Sequence, residues 1–317
     1  MLRLTAIGEA FALARPFRIA RSTTTVRDVI TVTLEADGRR GWGEGIPYAR
    51  YGESVEAALA AIEAVRPAIE AGIGRDELQT LMPPGAARNA VDCALWDLAG
   101  DALPAPASVI TAMTIGIDTP QAMADATRAE GSAPLLKVKV DADDPEARVR
   151  AIRAVAPHTK LIVDPNESWD VAMVERAMPW LAELGVALLE QPVPADADVG
   201  LARIEALVPI AADESMHSRA ELDQVAERYG IINIKLDKTG GLTEALLLAE
   251  ATKAQGLRVM TGCMVCTSLS IAPALRVAAL SEFADLDGPS WLADDRAGGV
   301  RFANGHAHAP QPGFWGG

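Results

Sequence analysis

Two lysines stand two residues apart in Lys137-Val138-Lys139, three acids follow at Asp164, Glu190 and Asp213, and a further lysine stands at Lys235. The acids are 26 and then 23 residues apart, each interval about one strand plus one helix, so consecutive parallel strands would offer one carboxylate each at a common height. Each ends a short apolar run, in Asp164-Pro165-Asn166, Glu190-Gln191-Pro192 and Asp213-Glu214-Ser215. Lysines two apart on a strand share a face, which points Lys137 and Lys139 into one interior. Any one of these acids alone would be read as a helix cap or a surface residue. Buried lysines are rare unless paired or functional, so the ordered series carries the reading. Converging carboxylates need a cation, and hard oxygen donors on rigid elements suit Mg2+, with Mn2+ not distinguished from it.

The chemistry open to such a set is proton abstraction beside a carboxylate. That carbon is a very weak acid, because the deprotonated species carries two negative charges. A divalent cation on the carboxylate neutralises part of that charge. Lys139, near the metal and opposing cations, is expected to have a depressed pKa and to accept a proton as a neutral amine. A lysine on each side of the substrate permits removal from one face and return to the other, which inverts the centre.

Apolar runs at 113–117, 135–140, 160–163, 187–189, 208–212, 231–236, 257–261 and 283–286 predict eight strands, with helices at 145–155, 171–184, 220–228 and 244–254 between them. Eight strands in so short a stretch fit a closed α/β barrel better than an open sheet. Residues 1–50 read as strands and turns, with alternation over 29–34, a turn at Ala36-Asp37-Gly38, and then Gly41-Trp42-Gly43-Glu44-Gly45. Ser54 is expected to cap a helix over 55–69, and a second helix over 86–98 puts Ala90, Cys93, Ala94 and Leu98 on one face. These elements predict a separate α+β unit of residues 1–110 ahead of a barrel over 111–290.

A net charge of −14 argues against a nucleic-acid partner. No apolar run reaches the length of a membrane span, and Arg3, Glu9 and Arg15 interrupt the N-terminus as no secretory signal would. Three cysteines, Cys93, Cys263 and Cys266, suggest a reducing compartment and a cytoplasmic location. Cys263 and Cys266 form a Cys-x-x-Cys without the context of a zinc or redox motif, and are read as small residues at the end of a buried strand. His306 and His308 are read as a solvated loop. Asp285 and Asp287 alternate onto one face, where two buried acids ask for a cation such as a peptide's free amino group; the competing reading is a solvated strand-end turn. Lys238 is as cationic as Lys235, and strand alternation places it on the opposite face.

The whole pattern, with Gly41-Trp42-Gly43-Glu44, the run Arg88-Asn89-Ala90-Val91-Asp92-Cys93-Ala94-Leu95-Trp96-Asp97-Leu98, and Asn233-Ile234-Lys235-Leu236 with Gly240-Gly241, resembles the muconate-lactonizing-enzyme subgroup of the enolase superfamily. Within it the chain resembles the dipeptide epimerases of the Ala-Glu type. The resemblance implies a modified (β/α)7β TIM-type barrel with an N-terminal α+β capping domain that the tail, 291–317, completes. It implies one Mg2+ ligated by Asp164, Glu190 and Asp213, with Lys139 and Lys235 as a two-sided acid/base pair and Lys137 assisting at the substrate carboxylate; a lysine base with Mg2+ is established chemistry of that superfamily. The family pattern also favours Lys235 over Lys238. It implies that Asp285 and Asp287 hold a substrate ammonium group. Arg21 would bind a terminal Glu side chain, Thr114 the substrate carboxylate, and Met264 would be a further substrate contact. Gly262-Cys263-Met264-Val265-Cys266 departs from many relatives, which carry an acid where Cys266 stands. The implied substrate is a small dipeptide from cell-wall breakdown, with no membrane or nucleic-acid partner and with a homo-oligomer left open. Two other readings remain: a cycloisomerase or o-succinylbenzoate synthase on the same fold, which the acids at 285 and 287 disfavour, and a non-catalytic metal-dependent binder of small acids.

Overall fold

The computed structural model describes residues 2–102 and 104–316; Met1, Leu103 and Gly317, which belong to the segments 1–110 and 291–317, lie outside the described residues. Three antiparallel strands begin the chain, β1 (Arg3–Ile19), β2 (Ser22–Ala36) and β3 (Arg39–Gly45), in the order β1-β2-β3. The β2–β3 turn has Asp37 at φ 52° and Gly38 at φ 75°, the left-handed pair that matches the twist of a hairpin. Ser54 caps α1 (Val55–Glu70) by accepting from Ala57 N, and α2 (Arg75–Leu81) and α3 (Ala86–Ala99) follow.

Gly41, Gly43 and Gly45 leave one face of β3 without side chains, and α3 lies directly on it. A Cβ at Gly41 would stand 2.3 Å from Leu98 N, and one at Gly43 2.3 Å from Ala90 O. Ile30, Val32 and Leu34 of β2 complete this core with Ile62, Ile69 and Ala90. The other face of β3 carries Trp42 and Glu44. Trp42 Nε1 donates to Phe314 O at 2.7 Å and Trp315 Nε1 donates back to Trp42 O at 3.0 Å, so the tail returns to the first sheet.

The short β4 (Ser108–Ile110) leads into eight parallel strands: β5 (Met113–Ile115), β6 (Leu135–Lys139), β7 (Lys160–Asp164), β8 (Val186–Glu190), β9 (Ile210–Ala212), β10 (Ile231–Ile234), β11 (Arg258–Gly262) and β12 (Phe283–Asp285). Ala112 N donates to Ala284 O at 2.8 Å, which joins the first strand to the last. Outside them lie α4 (Pro120–Ala129), α5 (Pro145–Val155), α6 (Val171–Glu183), α7 (Leu222–Ala226), α8 (Leu236–Thr239), α9 (Leu242–Ala254) and α10 (Ser268–Ala278). After β8 a 3-10 segment, Asp198–Arg203, stands where a helix would, and β12 runs into a 3-10 turn, Gly288–Trp291. The architecture is thus a (β/α)7β barrel with a separate N-terminal unit built on an antiparallel sheet.

The structure corrects several expectations. The strand expected over 231–236 ends at Ile234, and Leu236 opens α8. The helix expected over 220–228 shrinks to α7 behind a 3-10 turn, Arg219–Glu221. Helix α10 was not predicted, and all eleven of its residues are buried, so it has no polar stripe for periodicity to find. His306 and His308 lie on β14 (His306–His308), which pairs with β13 (Arg301–Ala303) and β4, rather than in a loop.

Candidate active site

One residue from each barrel strand, or from the residue just before it, forms an apolar floor: Ala112, Leu135, Ile162, Leu188, Ala211, Ile231, Met260 and Phe283. Period-two alternation brings the residue two positions on to the same inner face. Those residues are Thr114, Lys137, Asp164, Glu190, Asp213, Asn233, Gly262 and Asp285, so a chemically active layer rests directly on a dry one. Above it opens a cavity of about 970 Å3 whose lining includes Lys137, Lys139, Asp213, Lys235, Asp285 and Asp287. Lys139 ends the second barrel strand and Lys235 follows the sixth, so the two stand across the eight-stranded ring from each other. Gly262 makes room for the second, since a Cβ there would lie 3.0 Å from Lys235 Cε.

The acids and lysines neutralise each other. Lys139 Nζ donates to Asp164 Oδ2 at 2.5 Å, and Lys137 Nζ lies 3.1 Å from the same oxygen. Burial alone would raise the Asp164 pKa, but Lys139 and Lys137 hold it below the usual carboxylate range. Lys137 also donates to Asp285 Oδ2 at 2.7 Å and to Glu190 Oε1 at 2.9 Å. Glu190 Oε2 is nearer, 2.7 Å, but off the hydrogen-bonding direction, and it is buried without a hydrogen bond. Burial outweighs the Lys137 charge at Glu190 and pushes its pKa up to about 7. Lys235 Nζ donates to Asp213 Oδ2 at 2.7 Å; burial opposes its charge, yet Asp213 raises its pKa, so Lys235 is an ammonium in this state.

Lys238 does not lie on the far side of a strand as alternation predicted. The chain turns into α8 directly after Lys235, which swings the Lys238 amine back to Asp213 Oδ1 at 2.7 Å and to the Asp213 and Asn233 carbonyls. The two lysines therefore grip Asp213 by different oxygens. Lys238 is almost wholly buried in α8 and is absent from the cavity lining, whereas Lys235 faces the cavity. Arg88 of α3 fixes this turn from the N-terminal unit, donating to Gly240 O at 3.0 Å, Thr239 O at 2.5 Å, and Met82 O and Gln79 O at 3.1 Å. Asp92 of the same helix accepts from Thr243 N at 2.9 Å and Thr243 Oγ1 at 2.7 Å.

Asp285 and Asp287 line the same cavity, but they are not equivalent. Asp285 already has Lys137 on Oδ2, and its Oδ1 is buried with no partner. Asp287 accepts from Thr114 N at 2.8 Å and Trp291 Nε1 at 3.3 Å, with no ion pair among the described residues. Burial and then the Asp285 charge push its pKa up to about 7. The pair thus carries one carboxylate more than the local cations cover.

Arg21 sits at the two-residue tip of the long β1–β2 hairpin, which reaches over the barrel mouth. Its guanidinium donates to Glu214 Oε1 at 2.6 Å, Asn166 O at 3.0 Å, and Glu167 Oε2 and Tyr48 OH at 3.1 Å. Arg50 meets Glu167 from the same unit, at 2.9 and 3.0 Å. Met264 lies in the cavity wall beside Cys263 and Val265. The sequence reading missed Asn233, whose Nδ2 donates to Glu190 Oε1 at 2.8 Å, and the Arg21 partners Glu167, Glu214 and Tyr48. Counting inward from Ile231 in steps of two would have found Asn233.

Among the described residues no three acids converge at metal-ligand spacing, since each carboxylate of the layer turns toward a lysine. The donor set nevertheless suits a hard divalent cation. Asp164, Glu190 and Asp213 come from three adjacent strands, and Glu190 Oε2 is a buried oxygen with an unused lone pair.

Residues 1–110 match the family model for the mandelate racemase / muconate lactonizing enzyme N-terminal domain, and residues 120–314 match the enolase C-terminal domain-like model. The chain is 47% identical over 312 residues to the L-Ala-D/L-Glu epimerase of Escherichia coli strain K12, covering 95% of this chain and 97% of that protein. It is 42% identical over 300 residues to the N-acetyl-D-glutamate racemase of Pseudoalteromonas sp, covering 91% and 95%. Among solved structures, an enolase family member from Agrobacterium tumefaciens with homology to dipeptide epimerases, with bound sodium and L-Ala-L-Glu, superposes with a TM-score of 0.95 at 46% identity, over 99% of this chain and 100% of that one. The dipeptide epimerase of Methylococcus capsulatus complexed with Mg and L-Arg-D-Lys superposes with a TM-score of 0.90 at 34% identity, over 99% and 98%. With both of its segments matched and this layer of lysines and acids between them, the chain belongs to the mandelate racemase / muconate lactonizing enzyme family of the enolase superfamily.

Proposed function

We propose that this chain is a Mg2+-dependent dipeptide epimerase acting on Ala-Glu dipeptides and inverting the α-carbon of the Glu residue. The observation that carries the reading is the pairing of Lys139 and Lys235 across the cavity with an acid pair, Asp285 and Asp287, that has one carboxylate without a cation. A dipeptide supplies what this arrangement lacks, namely an ammonium group for the acid pair and a carboxylate for the cationic side. Lys137, held between Asp285 and Glu190, keeps its charge and faces the substrate carboxylate with Thr114. In one direction Lys139 takes the α-proton and the Lys235 ammonium returns one to the opposite face; the roles exchange in reverse. A divalent cation on Asp164, Glu190 and Asp213 supplies electrostatic relief of the charge that builds on the substrate carboxylate. Mg2+ is favoured by the relatives solved with it, and Mn2+ would serve the same oxygen donors. Arg21 and Met264 border the side-chain end of the substrate. The division into a capping unit, 1–110 with 291–317, and a barrel, 111–290, belongs to the same proposal, as does a cytoplasmic role in the breakdown of cell-wall peptides.

A cycloisomerase, an o-succinylbenzoate synthase or an N-acylglutamate racemase would bring no ammonium group to Asp285 and Asp287. The test is proton exchange: the protein with Mg2+ and L-Ala-D-Glu or L-Ala-L-Glu in D2O, with the Glu α-proton followed by NMR. Deuterium incorporation with inversion is expected, and N-acetylglutamate should exchange far more slowly. No exchange with any Ala-Glu diastereomer would refute the reading.

A further inference from the structure

The Cys-x-x-Cys segment takes no part in the proposed reaction. Cys263 directly follows β11, and Cys266 directly precedes Thr267, the N-cap of α10. The two sulfurs are neighbours, each about 3 Å from the position a Cβ at Gly288 would take. Cys263 lines the cavity and is partly exposed, whereas Cys266 is completely buried behind it. The third cysteine, Cys93, is elsewhere, buried with its thiol on Asn89 Oδ1 at 3.2 Å.

Both sulfurs also press on one spot beside the acid pair. A Cβ at Gly288 would stand 2.9 Å from Cys266 Sγ, 3.1 Å from Cys263 Sγ and 2.4 Å from Met264 O. Gly288 follows Asp287 and opens the 3-10 turn that Asp287 caps. The segment that joins the two cysteines therefore packs against Gly288, the residue after Asp287.

We propose that Cys263 and Cys266 form a reversible disulfide, and that its formation weakens substrate binding by displacing Met264 against Asp287 and Gly288. The effect on binding rests on the epimerase reading; the disulfide does not. The oxidant is a peroxide. The Cys263 thiolate attacks one oxygen of hydrogen peroxide, the O–O bond breaks, and the departing hydroxide takes up the thiol proton as water. Cys266 sulfur then attacks the sulfenic sulfur, the S–S bond forms as the S–O bond breaks, and the second hydroxide leaves with the Cys266 proton as water. Two thiols give up two electrons to one peroxide. Exposure assigns the first attack to Cys263, and burial, which pushes the Cys266 thiol pKa well up, disfavours Cys266 as the first attacker. Drawing the neighbouring sulfurs to about 2.0 Å forces the Met264-Val265 backbone between them to shift. Inside a reducing compartment such a bond is transient, as a sensor requires.

The test treats the purified, Mg2+-supplemented protein with hydrogen peroxide, alkylates the remaining thiols and maps the peptide spanning residues 259–276. A loss of about 2 Da from that peptide is expected, with both of its thiols protected from alkylation. The KM for L-Ala-L-Glu should rise several-fold, and dithiothreitol should restore both readings. Cys266→Ala should retain turnover before oxidation, show no such mass loss, and carry Cys263 on to the sulfinic acid. A wild-type peptide that goes directly to sulfinic acid would overturn the proposal, as would a disulfide that leaves KM unchanged. If no dipeptide is turned over before oxidation, the epimerase reading fails while the mass shift still decides the disulfide.

Discussion

Asp287→Asn separates a dipeptide site from a site for N-acylated amino acids. The wild-type carboxylate is buried and uses Oδ2 to accept from Thr114 N and Trp291 Nε1. An asparagine oxygen can accept both bonds, so the substitution removes the charge and leaves the packing. What is lost toward an ammonium group is a charge-assisted hydrogen bond, worth about 1.5–3 kcal/mol. At about 1.4 kcal/mol per factor of ten, kcat/KM for L-Ala-L-Glu should fall about 10- to 150-fold. The effect also has a pH signature. Burial and the neighbouring Asp285 push Asp287 up to about 7, and only the ionised form attracts the ammonium. Dipeptide binding by the wild type should therefore strengthen as pH rises through about 7, and the variant should lack that rise. Initial rates by coupled assay or polarimetry over that range, with N-acetylglutamate as the second substrate, read both effects. Equal losses on the dipeptide and on N-acetylglutamate, or no loss on either, would refute the reasoning.

Three further outcomes are expected. Lys235→Ala should abolish epimerisation while leaving solvent exchange of one diastereomer measurable by NMR; unchanged epimerisation would pass the role to Lys238. Arg21→Met should raise KM for L-Ala-L-Glu by about tenfold or more, the worth of a charge-assisted pair, and affect an apolar dipeptide much less. Asp237, whose Oδ1 accepts from Ile46 N at 2.8 Å and Asn89 Nδ2 at 2.7 Å, is pushed by burial up to about 7. Its folded pKa lies above its unfolded one, so its stabilising contribution is complete at low pH and lost as pH rises through about 7. Asp237→Asn keeps the acceptor and should flatten the fall in Tm between about pH 4 and 7, measured by calorimetry at fixed ionic strength.

The barrel and its active layer were legible because period two and the strand–helix interval are both written in the sequence. Leu135, Lys137 and Lys139, or Leu188 and Glu190, declare their face by spacing alone. What spacing does not carry is where a chain turns after the strand ends. Lys238 was misplaced because α8 begins one residue after Lys235, within a run, Ile231 to Leu236, that is apolar enough to read as continuous strand. Arg21 could be singled out, but its partners Glu214 and Glu167 lie 193 and 146 residues away, and no local pattern links them. Asp285 and Asp287 looked alike in sequence; only the position of Lys137 makes one paired and the other not.

Arg88 spends its guanidinium on four carbonyl oxygens, two of them in the turn that carries the chain away from Lys235. Those carbonyls close α8, so a barrel released from α3 would leave the turn after Lys235 without its proton donors. That turn is therefore held in part from the N-terminal unit. Loss of the N-terminal unit and loss of order at Lys235 become a single cooperative event, and amides from Lys235 to Gly241 should open to solvent only with the whole molecule. A permuted or dissected chain that keeps every residue of the cavity but cuts this grip would leave Lys235 unfixed.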